Sequence, residues 1–138
     1  MNGEKWCRWS PSSKLAKKAA SLKAVTVAET ISAIFAYVTN SISYDYEKAD
    51  RLRGTRGYVP DPETTYEEGS GICFDLASLM CAMLRSQGVE AKLCVGYLDD
   101  DTHAWVQAWD GKRWLRCDPT MARSMTKKER KYVTKYEL

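Results

Sequence analysis

The stretch that decides the fold runs from residue 69 to residue 88, GSGICFDLASLMCAMLRSQG. From Cys73 onward its apolar residues fall on nearly every face of a helix: Phe74, Leu76, Ala77, Leu79, Met80, Cys81, Ala82, Met83 and Leu84. A helix apolar all round belongs in the middle of a domain, and Gly88 is placed as its C-terminal stop. Downstream come three strand-like runs, Glu90 to Leu98, His103 to Trp109 and Lys112 to Cys117. The acidic turn Asp99 to Thr102 separates the first two, and Asp110 with Gly111 separates the last two; an Asp-Gly pair between such runs is a strong hairpin signal. A buried helix followed by an antiparallel meander predicts an α+β fold, not an alternating α/β one.

Upstream, Thr26 and Glu29 form a capping box, followed by Ile31, Ile34, Phe35, Val38 and Ile42 at helical spacing. The pattern predicts an amphipathic helix ending near Tyr44. From Tyr44 to Glu68 there is no sustained period, only Gly54, Gly57 and the turn residues Pro60, Asp61 and Pro62. A connection of that length in a small domain is usually functional, and it is expected to form one wall of a binding cleft. Residues 1 to 25 are rich in Lys and Ala and read as a short helix laid on the body or as a linker.

The chain has 138 residues, 44% of them hydrophobic and 28% charged, so it can hold one core without disulfide or metal staples. No unbroken apolar run is longer than the six residues of Ala33 to Val38, far too short to cross a membrane. Net charge is +3, but it is unevenly spread. Residues 1 to 24 carry +5, residues 123 to 138 carry +4, and the body between them carries −6. No nucleic-acid-binding motif accompanies the basic ends, so they are read as solvated faces and nucleic acid is not expected as a partner. Lys17, Lys18 and Lys23 interrupt what would be the apolar core of a signal peptide. That favours a cytoplasmic setting, although a secreted chain trimmed of its leader would read the same.

Five cysteines, Cys7, Cys73, Cys81, Cys94 and Cys117, leave at least one free thiol. On one helix, Cys73 and Cys81 would lie about 12 Å apart, too far for a disulfide. With no CxxC and a single histidine, the spacing fits no common structural zinc site. The run Asp99, Asp100, Asp101 lacks the alternation of a calcium loop and is read as a solvated turn. No metal and no cofactor are expected.

Cys73 opens the buried helix just after Gly69, Ser70 and Gly71. Unpaired first-turn N–H groups and the positive end of the helix dipole there favour thiolate over thiol, and the same N–H groups suit an oxyanion. The only histidine, His103, stands 30 residues on, at the start of a strand-like run. Asp118 follows 15 residues later, across the Asp-Gly hairpin and just before Pro119, where antiparallel pairing brings it back beside His103. There a carboxylate can accept the imidazole N–H and set its tautomer. Each residue alone has a plainer reading, as core cysteine, incidental histidine or turn aspartate. Together they satisfy three separate geometric roles.

Five segments in order, Gly71-Ile72-Cys73-Phe74-Asp75, Leu79 to Gly88, Gly96-Tyr97, His103-Ala104-Trp105 and Trp114 to Thr120, resemble the transglutaminase-like superfamily of cysteine enzymes. The resemblance covers Gly69 to Ala122, and Tyr44-Asp45-Tyr46 and Tyr58-Val59-Pro60 look like stretches of small bacterial members. It implies a papain-like α+β core, with the cysteine helix packed on a small antiparallel sheet and helices N-terminal to it. It also implies Cys73 as nucleophile, His103 as base and acid, and Asp118 as orienter. Residues 1 to 138 are then expected to form a single domain with its catalytic core at 69 to 122. The expected chemistry is thiol-dependent acyl transfer or amide hydrolysis on a protein or peptide substrate, an amine being a further acyl acceptor. A cysteine protease or amidase of the same fold, and a non-catalytic binding module, are the alternatives. A redox-sensing Cys73 lacks an obvious resolving cysteine. Trp105 is read as core packing in preference to a wall beside the acyl group, and Asp75 as a complement to the helix dipole.

Overall fold

The computed structural model describes residues 5–123 and 131–138. Its helices are α1 (Lys14–Leu22), α2 (Val27–Ser41), α3 (Tyr46–Leu52), α4 (Pro62–Glu68) and α5 (Cys73–Ser86). Two short strands, β1 (Ser43–Tyr44) and β2 (Ser70–Gly71), pair in parallel. The main sheet holds β3 (Ala91–Leu98), β4 (Asp101–Trp109), β5 (Trp114–Cys117) and β6 (Tyr132–Glu137), antiparallel in the order β5-β4-β3-β6.

The cysteine-bearing helix is the centre of the molecule, as its all-round apolar pattern requires. Leu76, Leu79, Met80, Met83 and Leu84 are fully buried. One side of α5 takes α1, α2 and α4, and the other lies on β3 and β4 through Leu93, Ala104, Val106 and Ala108. Burying a side chain of this size stabilises the fold by about 2 kcal/mol each. Ser78, the one hydroxyl at the middle of this helix, donates to the carbonyl of Trp6, which ties the N-terminal segment to the core. Within it, Ser13 caps α1, and Leu15, Ala16 and Ala19 are buried against α5.

Thr26 caps α2 by accepting from the Glu29 N–H at 3.1 Å, as its capping box predicts. The helix ends at Ser41, short of the expected Tyr44, because Ser43 and Tyr44 turn extended to pair with Ser70 and Gly71. The connection from Tyr44 to Glu68 is less irregular than its sequence implies, since it contains α3 and α4. At seven residues each, neither is long enough to show a period. Their start signals were present: Asp45 accepts from the Lys48 N–H, and Pro62, expected in a turn, is the first residue of α4. Glu63 then accepts from the N–H groups of Lys14 and Leu15, capping α1 from a different helix.

The Asp110-Gly111 hairpin forms as expected, with Asp110 accepting from the N–H groups of Lys112 and Arg113, so that β5 begins only at Trp114. The doubly apolar β4 has both faces covered. Ala104, Val106 and Ala108 meet α5, and Trp105 packs edge-on to Tyr132 of β6 at 4.9 Å. At the C-terminal end, the sequence from Lys127 to Lys131 followed by Tyr132, Val133 and Tyr136 reads as a last helical turn and an edge strand; the strand is β6, and the turn lies outside the described residues. All five cysteines are free, and Cys7, Cys81, Cys94 and Cys117 are buried.

Candidate active site

Cys73 is the first residue of α5, half-buried at the floor of a cleft of about 930 Å³. One wall is the connection after α3, with Arg53, Gly54, Thr55, Arg56, Gly57 and Tyr58, as expected of that segment. The opposite wall carries Val95, Thr102 and His103. Ile72, the residue before the helix, has no side chain that can cap it, so the first-turn N–H groups of α5 remain available at the cleft.

The structure brings Cys73, His103 and Asp118 together. His103 Nε2 lies 2.8 Å from Asp118 Oδ2, and the imidazole shares the cleft with the Cys73 side chain, which helps to raise its pKa. Since Nε2 is taken by the carboxylate, Nδ1 is the nitrogen left for the sulfur. His103 is brought opposite Gly96 by the β3–β4 register. Asp118 is delivered by the β4–β5 pairing, which sets Cys117 against Val106. Both are buried. Burial opposes charge on the imidazole, but the Asp118 carboxylate and the neighbouring Cys73 sulfur outweigh it and raise its pKa from 6.5 to about 9. The ring is therefore cationic at neutral pH. Asp118 is itself held, accepting from the Met121 N–H at 3.1 Å through Oδ1 and from the Tyr132 hydroxyl at 2.9 Å through Oδ2.

Asp75 does more than complement the helix dipole. Fully buried, it accepts from the Ile72 N–H at 3.0 Å, from the Tyr58 hydroxyl, and pairs with Lys48 Nζ at 2.8 Å. This network fixes α3 and the cleft wall to the helix start that carries Cys73. Burial and the Asp75 hydrogen bond push the Tyr58 phenol up to about 12, so it remains a donor. Gly71 is required beside it, because a Cβ there would sit 2.6 Å from Asp75 Cβ. Sequence reading noticed Tyr58 only through resemblance and missed Lys48 and Tyr132 as site residues. An i, i+3 step from the Asp45 cap was the sole local mark of Lys48, and Tyr132 was visible only as part of an edge strand. Trp105 stacks on His103 at 6.2 Å and is not among the residues lining the cleft. Its role is packing, as expected.

A cysteine at a helix start, sharing a cleft with an imidazole that is bonded to a carboxylate at the end of a neighbouring strand, is the arrangement that thiol enzymes use. Residues 13–119 match the model of the transglutaminase-like superfamily, and the chain belongs to that superfamily. The match reaches well upstream of the segments that carried the sequence resemblance. Over 70 residues the chain is 31% identical to a protein-glutamine gamma-glutamyltransferase of Pseudomonas aeruginosa, covering 40% of this chain and 10% of that one. Its fold is similar to that of a candidate cysteine protease from Cytophaga hutchinsonii, with TM-score 0.67 and 27% identity over 84% of this chain and 39% of the other. It is also similar to the periplasmic domain of TgpA from Pseudomonas aeruginosa, with TM-score 0.62 and 18% identity over 90% and 51% of the two chains. The chain spans 30% or less of the length of the curated relatives it matches. No helix among the described residues is long and apolar enough to cross a membrane.

Proposed function

We propose that this domain is a thiol-dependent acyl-transfer enzyme acting on a carboxamide or peptide bond of a protein or peptide, with Cys73, His103 and Asp118 as its catalytic residues. The observation that carries this reading is the imidazole of His103, bonded to the Asp118 carboxylate and lining the same cleft as the half-buried sulfur of Cys73. In the first half-reaction Cys73 Sγ bonds to the substrate carbonyl carbon. The oxyanion so formed lies at the uncapped N–H groups of α5, whose dipole opposes its charge. As the carbon–nitrogen bond breaks, the imidazolium of His103 gives its proton to the departing nitrogen, leaving a thioester on Cys73 and a neutral imidazole. In the second half, His103 takes a proton from water or from an amine as that group attacks the thioester, and the thiolate is expelled to restore the starting pair. Asp118 keeps the ring oriented and stabilises its cation in both halves.

Whether water or amine resolves the thioester separates a hydrolase from a transferase. The cleft is open along the wall from Arg53 to Tyr58, which gives both acceptors access. The test offers a panel of glutamine-containing peptides to the protein with and without a primary amine, following ammonia release and product mass. Cys73-dependent ammonia release with amine incorporated supports transfer; release unaffected by amine supports hydrolysis. No Cys73-dependent product from any peptide, together with ordinary Cys73 alkylation unaltered in His103→Ala, refutes the enzymatic reading and leaves the binding module.

A further inference from the structure

We infer that Tyr132, from strand β6, is a positioning residue of this site: it shares Asp118 Oδ2 with His103 and tempers the pull of that carboxylate on the imidazole. The inference rests on the reading of Cys73, His103 and Asp118 as a catalytic set. Tyr132 lies beyond the matched residues 13–119, on a strand at the edge of the sheet. Its hydroxyl donates to Asp118 Oδ2 at 2.9 Å, the oxygen that His103 Nε2 meets at 2.8 Å. Two donors on one oxygen divide its charge, so each bond is weaker than it would be alone.

The sheet is shaped to make this contact. Tyr132 pairs with Leu98 and Thr134 with Gly96, while Gly96 also pairs with His103, so Tyr132 lies on the same sheet face as His103. The register of β6 on β3 slips between Val95 and Gly96, leaving Lys135 as the extra residue of a bulge. At that point β6 leans so far onto β3 that a Cβ on Gly96 would fall 2.0 Å from the Val133 carbonyl oxygen. Glycine is therefore needed at 96 to let β6 reach the site, and its φ is not the reason. The Tyr132 ring is then fixed from two sides, edge-on to Trp105 at 4.9 Å and under the Arg116 guanidinium at 3.9 Å. Among the described residues, the titratable and charged groups around the imidazole are Cys73 from α5, Asp118 after β5 and Tyr132 from β6, with Tyr44, Arg53, Arg56 and Tyr58 lining the same cleft. Beyond these stand Arg116 on the Tyr132 ring and Asp101, two residues back along β4.

Because His103 is the only histidine, its imidazole resonance can be followed without assignment ambiguity. The test titrates it by NMR in the full chain carrying Cys73→Ala, with and without Tyr132→Phe, so that the result does not depend on turnover. Phenylalanine keeps the packing on Trp105 and removes only the hydroxyl. The expected result is a titration midpoint raised by about half a pH unit, with the Nε2–H resonance moved downfield, because Asp118 then has one donor fewer. Gly96→Ala, which pushes β6 away, is expected to move the midpoint in the same direction. An unchanged or lowered midpoint in Tyr132→Phe overturns the inference, and loss of thermal stability alone does not support it. If peptides and amines give no Cys73-dependent product while the midpoint moves as expected, the proposed enzyme fails and the coupling of Tyr132 to His103 stands; the converse result fails the coupling alone.

Discussion

Replacing Asp118 by Asn tests the electrostatic centre of the site. In the wild type, burial disfavours the imidazolium, yet the Asp118 carboxylate and the nearby Cys73 sulfur hold the pKa at about 9 against 6.5 for a free imidazole. At about 1.4 kcal/mol per pH unit, that difference is worth roughly 3 kcal/mol of folding stability. Because the folded value is the higher one, this contribution is complete below about pH 6.5 and disappears as pH rises through about 9. Asparagine keeps an oxygen for the Met121 N–H, but it cannot offer a charged acceptor to both Nε2–H and the Tyr132 hydroxyl. Burial then dominates, and the imidazole midpoint should fall by about 2 pH units or more. Against the wild type, Asp118→Asn should be destabilised by about 4 kcal/mol at pH 6, about 3 from the lowered midpoint and about 1 from the lost hydrogen bond, and by only about 1 kcal/mol at pH 10, where the hydrogen bond alone remains. Guanidinium denaturation at the two pH values and NMR titration of the single histidine measure both quantities. A midpoint that does not move, or a stability gap equal at pH 6 and pH 10, would refute the assignment of the cation to His103.

Three further outcomes follow from the surroundings of the site. Lys48→Met leaves the Asp75 carboxylate fully buried without its ammonium partner and should cost about 3 kcal/mol in chemical denaturation; a loss below 1 kcal/mol would mean that the pair is not closed in solution. Gly71→Ala drives a Cβ against Asp75 and is expected to cost about 2 kcal/mol and to slow Cys73 alkylation, whereas a fully stable variant would show that the helix start can shift freely. In native protein at pH 8, iodoacetamide followed by peptide mass spectrometry should label Cys73 first. Burial keeps Cys94 and Cys117 unreactive, with thiol pKa values pushed up to about 11. His103→Ala should slow the labelling of Cys73 about tenfold, and equal labelling of Cys94 would contradict the burial described here.

The residues of the candidate site were legible in the sequence because each stood at the boundary of an element with a strong local signal. Cys73 follows glycines at the start of an apolar helix, His103 opens a strand after an acidic turn, and Asp118 closes a strand before proline. The Asp-Gly hairpin set the pairing that returns Asp118 to His103, since register in a tight hairpin is fixed by its turn. The short helices α3 and α4 were not legible, because seven residues span only two turns and give no period to detect.

Local pattern therefore determined the α+β order, the buried helix and the identity of the cysteine, histidine and aspartate. Tertiary structure alone decided what surrounds them. Lys48, Tyr58 and Asp75 come from three separate segments and become one network only when the loop after α3 folds over the start of α5. Tyr132 reaches Asp118 only because a bulge at Lys135, opposite Val95 and Gly96, tilts an edge strand onto the sheet. Hydrophobic periodicity reports which face of an element is buried, but it carries no information about which distant polar groups will meet there.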